Sequence, residues 1–203
     1  MIEERRVMKF MSKQNTKSRI IAAAIEMMGR EGNINATVRD IAGRADVNLA
    51  SINYYFRSKD NLQSELEAHF SRETEAIYRI LYDAGKTLEE RLHEWADRMM
   101  KHLIDYPGVL FMLADRIVSS GQESSGIIEL IDYSEANLEL VIREATGETD
   151  GQKIAIGVML LMSGIINPVL LYHGSGKMPK ADISDAKVRK KLIDQLLSCV
   201  LGS

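Results

Sequence analysis

The stretch ADVNLASINYYFRSK, residues 45–59, gathers side chains suited to recognising a polyanion and the base edges within it. Asn53 carries an acceptor and a donor side by side, the pair that matches the exposed edge of adenine. Leu49 and Ala50 are apolar and small enough to meet thymine methyls or base edges. Ser51, Tyr54 and Tyr55 bring hydroxyls, and Lys59 an ammonium, groups that grip phosphates and orient a protein without reading sequence. Upstream, Thr37 and Arg39 can extend the same surface, with Arg44 as an added backbone contact. This chemistry is recognition, not bond-making. The chain has no nucleophile elbow, no catalytic cysteine setting and no dinucleotide loop, so no enzyme activity, cofactor or metal is expected.

Such groups work only if local structure aims them. Thr37 is placed to cap a helix of about two turns, with Val38, Ile41, Ala42 and Ala45 at helical spacing. Asn48 can cap a third helix running to about Tyr54. Two turns cannot stand alone, so both need the longer first helix from Thr16, whose stripe is Ile20, Ala23, Ala24, Met27 and Met28. Two short helices across a tight turn, packed on a third, make a helix-turn-helix unit that presents its last helix to solvent. Ala42 and Ala45 allow the close approach, while Val47, Ile52 and Phe56 are the inward anchors. The turn needs a left-handed residue, and Asp46 tolerates that backbone better than most residues other than glycine.

The totals agree with this division. Of 203 residues, 45% are hydrophobic and 6% aromatic, and only three are prolines, a composition that favours a helical globular chain. The net charge of −3 hides an asymmetry: residues 1–60 hold eleven Lys/Arg against seven Asp/Glu, and residues 61–203 fifteen against twenty-two. A basic amino-terminal third beside an acidic remainder suggests that only the first meets phosphate. The single cysteine, Cys199, excludes an intrachain disulfide framework and is expected as a buried apolar residue of the last helix. MIEERRVMKF has no apolar core of the kind a secretory signal needs, so a cytoplasmic location is expected.

Beyond the short helices, Ser58 caps a fourth helix with the stripe Leu62, Leu66, Phe70, Ile77 and Leu81 up to Gly85. Leu88, Leu92, Trp95, Met99 and Leu103 mark a fifth, which Pro107-Gly108 interrupts. Further helices are expected over 109–120, 126–147, 151–174 and 184–201. The fold class is all-α, with about nine helices.

The segments TKSRIIAAAIEMMGREG and ATVRDIAGRADVNLASINYYFRSKDNL, with the long helix after them, resemble the TetR family of transcriptional regulators. The resemblance implies a DNA-binding domain over residues 1–60 and a helical ligand-binding and dimerisation domain over 61–203. It implies a ligand-responsive regulator, acting as a repressor, that binds a palindromic double-stranded DNA operator as a homodimer and is released by a small lipophilic effector. Asp46, Asn53 and Tyr55 stand where that family more often has Gly, Tyr and His, which leaves the operator sequence open.

On the same footing the fourth helix would couple sensor to reading head. Trp95, Met99, His102, Tyr106, Phe111, Met112, Tyr133, Met159 and Asn167 are candidate ligand contacts, apolar or dual-natured groups on helices five to eight. The last two helices are the candidate dimer interface, the ninth through Val188, Leu192, Ile193, Leu196, Leu197, Val200 and Leu201. Ile154–Tyr172 runs nineteen residues without a charge and could cross a bilayer on length alone. Pro168, Asn167 and the lack of a second such segment favour a helix buried in its own core and a partner subunit. The GSGK of residues 174–177 lacks the Ser/Thr of a phosphate loop at Met178. His93 and Asp97 share a helix face without a third ligand. Rival readings are a constitutive DNA-binding protein without an effector, and an enzyme of the helical half with a vestigial reading head.

Overall fold

The computed structural model describes residues 16–119, 126–174 and 181–202. The expectations for MIEERRVMKF, for residues 175–177 of the GSGK loop and for the sixth helix beyond Ser119 lie outside these residues. Among the described residues the chain is all helix, in nine elements with no strand. α1 covers residues 16–30, and its last part, Ile25–Arg30, widens into a π-helix. α2 is Val38–Arg44, α3 Leu49–Phe56, α4 Lys59–Tyr78, α5 Leu88–Asp105, α6 Gly108–Ser119, α7 Gly126–Thr146, α8 Gly151–Gly174 and α9 Ala186–Leu201.

Caps set most of these boundaries. Thr37 and Asp40 form a reciprocal capping box at α2, and Thr87 and Glu90 another at α5. Asn48 caps α3, Ser58 caps α4 and Asp185 caps α9 through single side-chain oxygens. α4 stops short of Gly85, because the chain tightens into a 3₁₀ turn over Arg79–Tyr82.

The buried apolar residues form one cluster that runs from α1 to α9. Trp95, Leu92, Ala96 and Met100 of α5 lie fully buried at its centre, with α4, α8 and α9 packed around that helix. The pairings His93–Asp194 and Arg189–Asp97 tie α5 to α9 at 2.5 and 2.7 Å, so the two polar groups noted on one face of α5 serve two separate partners on α9.

One expectation changes at the carboxyl end, that of Cys199, and the apolar face of α9 is seen in its own subunit. Ile193 and Leu197 are buried within the chain's own core, and Val188, Leu192, Leu196 and Val200 are half-buried beside them. The apolar face of α9 is thus largely covered by its own subunit. Cys199 is exposed rather than buried, since two residues beyond Leu197 lies on the opposite side of a helix. The uncovered apolar surface sits instead on α8, where Ile156, Met159, Leu160, Leu170 and Leu171 are each more than a third exposed. α8 is long and apolar enough to cross a membrane, but it packs against α5, α7 and α9 inside the bundle.

A close backbone approach joins α6 to α1. A Cβ on Gly108 would stand 1.7 Å from the Met28 carbonyl oxygen, and one on Gly29 would stand 2.5 Å from Cζ of Phe70. The π-turn of α1 is therefore wedged between the start of α6 and the side of α4.

Candidate nucleic-acid interface

Ile52 and Phe56, both buried, anchor α3, which packs on α2 and α4. Their burial on one side leaves Ala50, Asn53 and Tyr54 exposed on the other, with Leu49, Ser51 and Tyr55 half-buried between. The turn before α3 has the left-handed residue that the sequence called for: Asp46 has φ 50°. Arg19 of α1 clamps it, donating from Nη2 to the Asp46 carbonyl oxygen at 2.7 Å and to its carboxylate at 3.1 Å. Arg19 is a positioning residue that spacing alone did not reveal, since it acts across 27 residues.

Several candidate contacts have prior commitments. The Thr37 hydroxyl donates to Asp40 Oδ2 at 2.6 Å and would have to turn to reach a phosphate. These hydrogen bonds from Thr37 hold the Asp40 carboxyl below its ordinary range. Arg44 is paired with Glu31 at 2.8 Å, whereas Arg39 is exposed and has no ion pair among the described residues. The rings of Tyr54 and Tyr55 meet edge to face with centroids 5.1 Å apart, so one tyrosine props the other.

After α3 the chain reverses through Arg57, which takes φ 65° and is exposed. Ser58 then accepts from Asn61 N–H at 3.1 Å. Lys59 follows as the first residue of α4, half-buried, beside free amide groups that a helix N-terminus offers to an anion. Thr37, Arg39, Asn53, Tyr54 and Lys59 all fall in this helix-turn-helix region; Arg57 joins them without having been expected.

Residues 20–66 match the family described as bacterial regulatory proteins, tetR family. The amino-terminal region is thus similar to the TetR family. A probable HTH-type transcriptional regulator of Bacillus subtilis, YttP, is 41% identical over 58 residues, which are 29% of this chain and 28% of that protein. The match thus spans little more than a quarter of the curated relative. The TetR-like architecture extends further. A TetR-family regulator from Streptomyces coelicolor, SCO4454, has TM-score 0.71 at 14% identity, over 93% of this chain and 95% of that one. The TetR-like regulator LfrR from Mycobacterium smegmatis, solved with proflavine, has TM-score 0.61 at 16% identity, over 93% and 96%. At such identities these likenesses establish the fold.

Behind the helix-turn-helix, helices α4 to α8 surround an apolar cavity of about 70 Å³. Thr74, Tyr78 and Ser134 give it hydroxyls, and Met99, Leu103, Leu110 and Met162 are among its apolar walls. Of the nine expected ligand contacts, Met99 lines this cavity; Met159 and Asn167 line an adjoining groove along α8, and Tyr133 a shallow one between α4 and α7. Trp95 and Met112 are core residues. Tyr78, the cavity's main polar group, escaped the sequence reading because it continues the buried stripe of α4.

His102, Tyr106 and Phe111 lie at the junction with α1. Arg30 sits over the Tyr106 ring at 5.4 Å, and Phe111 packs beside Gly32. His102 is largely buried, with Nε2 unpartnered and Nδ1 3.9 Å from Glu73. Burial lowers its pKa from the ordinary 6.5, and His69 adds to that, against the opposing pull of Glu73 and Asp105. A histidine whose pKa is depressed on folding takes its proton first in the unfolded chain. Stability should therefore be level above about pH 6.5 and fall as the pH drops toward the folded-state value. Urea midpoints measured at pH 7.5 and 5.5 should show this decline in the native chain and a smaller one in His102→Gln.

Proposed function

We propose that this chain is a ligand-responsive transcriptional regulator, acting as a repressor, that binds a palindromic operator as a homodimer and leaves it when a small lipophilic effector binds. The observation that carries the reading is the outward side of α3: a short helix anchored by Ile52 and Phe56 that presents Ala50, Asn53 and Tyr54 to solvent. Leu49, Ala50 and Asn53 meet base edges, while Thr37, Arg39, Ser51, Tyr54, Tyr55 and Lys59 hold phosphates, with Arg57 as a further backbone contact. In this reading residues 1–60 form the DNA-binding domain and 61–203 the sensor and dimer domain.

The exposed apolar row of α8 pairs with its copy across a two-fold axis, and α9 supports it from behind. Leu160→Glu should then yield monomers by light scattering without loss of helicity. A dimer sets two reading heads roughly 34–36 Å apart, one turn of DNA. The effector enters the cavity between α4 and α8. Val109 and Leu110 of its wall follow Gly108, which abuts the end of α1. Displacement of α6 thus reaches the reading head directly as well as through α4.

Selection of bound duplexes from random DNA, repeated with added metabolites, tests the whole reading. Lys59→Ala should weaken all duplexes alike and reduce the salt slope by about 0.9, one phosphate contact. Asn53→Ala should instead lose discrimination at one base pair, by about 1–3 kcal/mol. A preference that no metabolite ever relieves would favour a constitutive DNA-binding protein. No preference at all would dismiss both readings.

A further inference from the structure

We infer that the cavity between α4 and α8 takes an uncharged lipophile bearing a hydrogen-bond acceptor, such as a ketone, ester or ether oxygen, received by the Tyr78 hydroxyl. The inference rests on the effector reading of this cavity. Among the described residues, no lysine, arginine, histidine, aspartate or glutamate lines it; its polar groups are the hydroxyls of Thr74, Tyr78 and Ser134. A formal charge of either sign would therefore lose its hydration without gaining a counter-ion.

The hydroxyls differ in what they can offer. Ser134 Oγ already donates to the Leu130 carbonyl at 2.7 Å. Tyr78 is fully buried; its hydroxyl also hydrogen-bonds with Ser134, and its O–H reaches the Met162 sulfur at 3.8 Å, a weak acceptor. A ligand oxygen would be the stronger partner. Burial pushes the Tyr78 pKa up to about 12, so the phenol keeps its proton and remains a donor at neutral pH.

Size sets a second limit. An engineered cavity of about 150 Å³ admits benzene, roughly twice the 70 Å³ found here. A ring-sized ligand must spread the walls, and the unbranched side chains of Met99 and Met162 can yield. Leu113, Ile131 and Met162 line both the cavity and the α8 groove, so the two adjoin. Among the described residues, the charged ones along that groove are Glu135 and Glu139, which face an incoming carboxylate with like charge.

The test uses the full chain and four saturated six-ring compounds that differ in one group: cyclohexyl methyl ketone, methylcyclohexane, cyclohexanecarboxylate and cyclohexylmethylammonium. Trp95, the only tryptophan, packs on Tyr78 with ring centroids 5.5 Å apart and reports occupancy through its emission, alongside thermal shift. The ketone should bind, and both ions should bind at least about 100-fold more weakly. Tyr78→Phe should weaken the ketone by about 2- to 10-fold and leave methylcyclohexane unchanged. Equal or tighter binding of either ion would overturn the inference. An ammonium held by Glu135 and Glu139 would be one such result, and no response to any of the four up to millimolar concentration would be another. Operator release, read separately by anisotropy, keeps the readings apart: a ketone that binds selectively but leaves DNA bound refutes the effector role and not the ligand class.

Discussion

Gly108→Ala should destabilise the protein by ~3 kcal/mol, more than most single-methyl additions, because overpacking against backbone cannot be relieved by a rotamer change. The new Cβ would meet the Met28 carbonyl oxygen at 1.7 Å, its carbon at 2.7 Å and Gly29 Cα at 2.9 Å. Those atoms belong to the π-turn that closes α1, and Phe70 blocks retreat on the far side of Gly29. To accept the methyl, α6 must lift from α1, opening the seam between the helix-turn-helix and the helical body behind it. Gly43 in α2 supplies the opposite case. Nothing lies within 4 Å of a Cβ built there, and Gly43→Ala should stabilise by about 0.5–1 kcal/mol through helix propensity. Urea denaturation of the two variants should place their midpoints on opposite sides of the native one. A Gly108→Ala midpoint level with the native protein would mean that α6 and α1 are not in close contact.

What the sequence made legible was local. Thr37, Asn48 and Ser58 announce their helices because capping is a short-range hydrogen bond, and structure places all three at the expected starts. Asp46 was readable for the same reason: the turn's backbone demand falls on a single residue. Distant packing was not readable. Arg57 at φ 65° carries no glycine signal, and the contacts of the π-turn of α1 with Phe70 and Gly108 are made across long stretches of chain. The cavity was the hardest part. Tyr78 and Trp95 look alike as members of apolar stripes, and only the assembled helices decide that Tyr78 lines the void while Trp95 fills the core. α9 likewise showed an apolar face in sequence, but which subunit covers it depends on α5 and α8. The same distinction sorts the mutations. Changes at caps act within one helix, whereas those at long-range junctions disturb two or three elements together.

Arg189→Ala should show that second behaviour, lowering stability by ~3 kcal/mol, the range expected when one partner of a buried ion pair is removed. Arg189 is 5% exposed. Its Nε donates to Asp97 Oδ1 at 2.7 Å, and Nη1 donates to the carbonyls of Ile183 and Ser184 at 3.0 and 3.2 Å. One guanidinium therefore joins α5, the segment leading into α9, and α9 itself. Truncation leaves an unpaired carboxylate and two carbonyls that lose a donor, and it opens a void beside Ile183. Arg189→Lys should recover little, because a single ammonium on a flexible stem cannot reproduce the planar fork that serves acceptors in different directions. Asp97→Asn should cost less than Arg189→Ala: the amide oxygen can still accept, and the Asp97 side chain is 39% exposed and partly hydrated. The order expected in urea unfolding is Arg189→Ala worst, Arg189→Lys close behind and Asp97→Asn mildest. If Asp97→Asn proved as damaging as Arg189→Ala, the ion pair rather than the three-way joint would hold α9 in place.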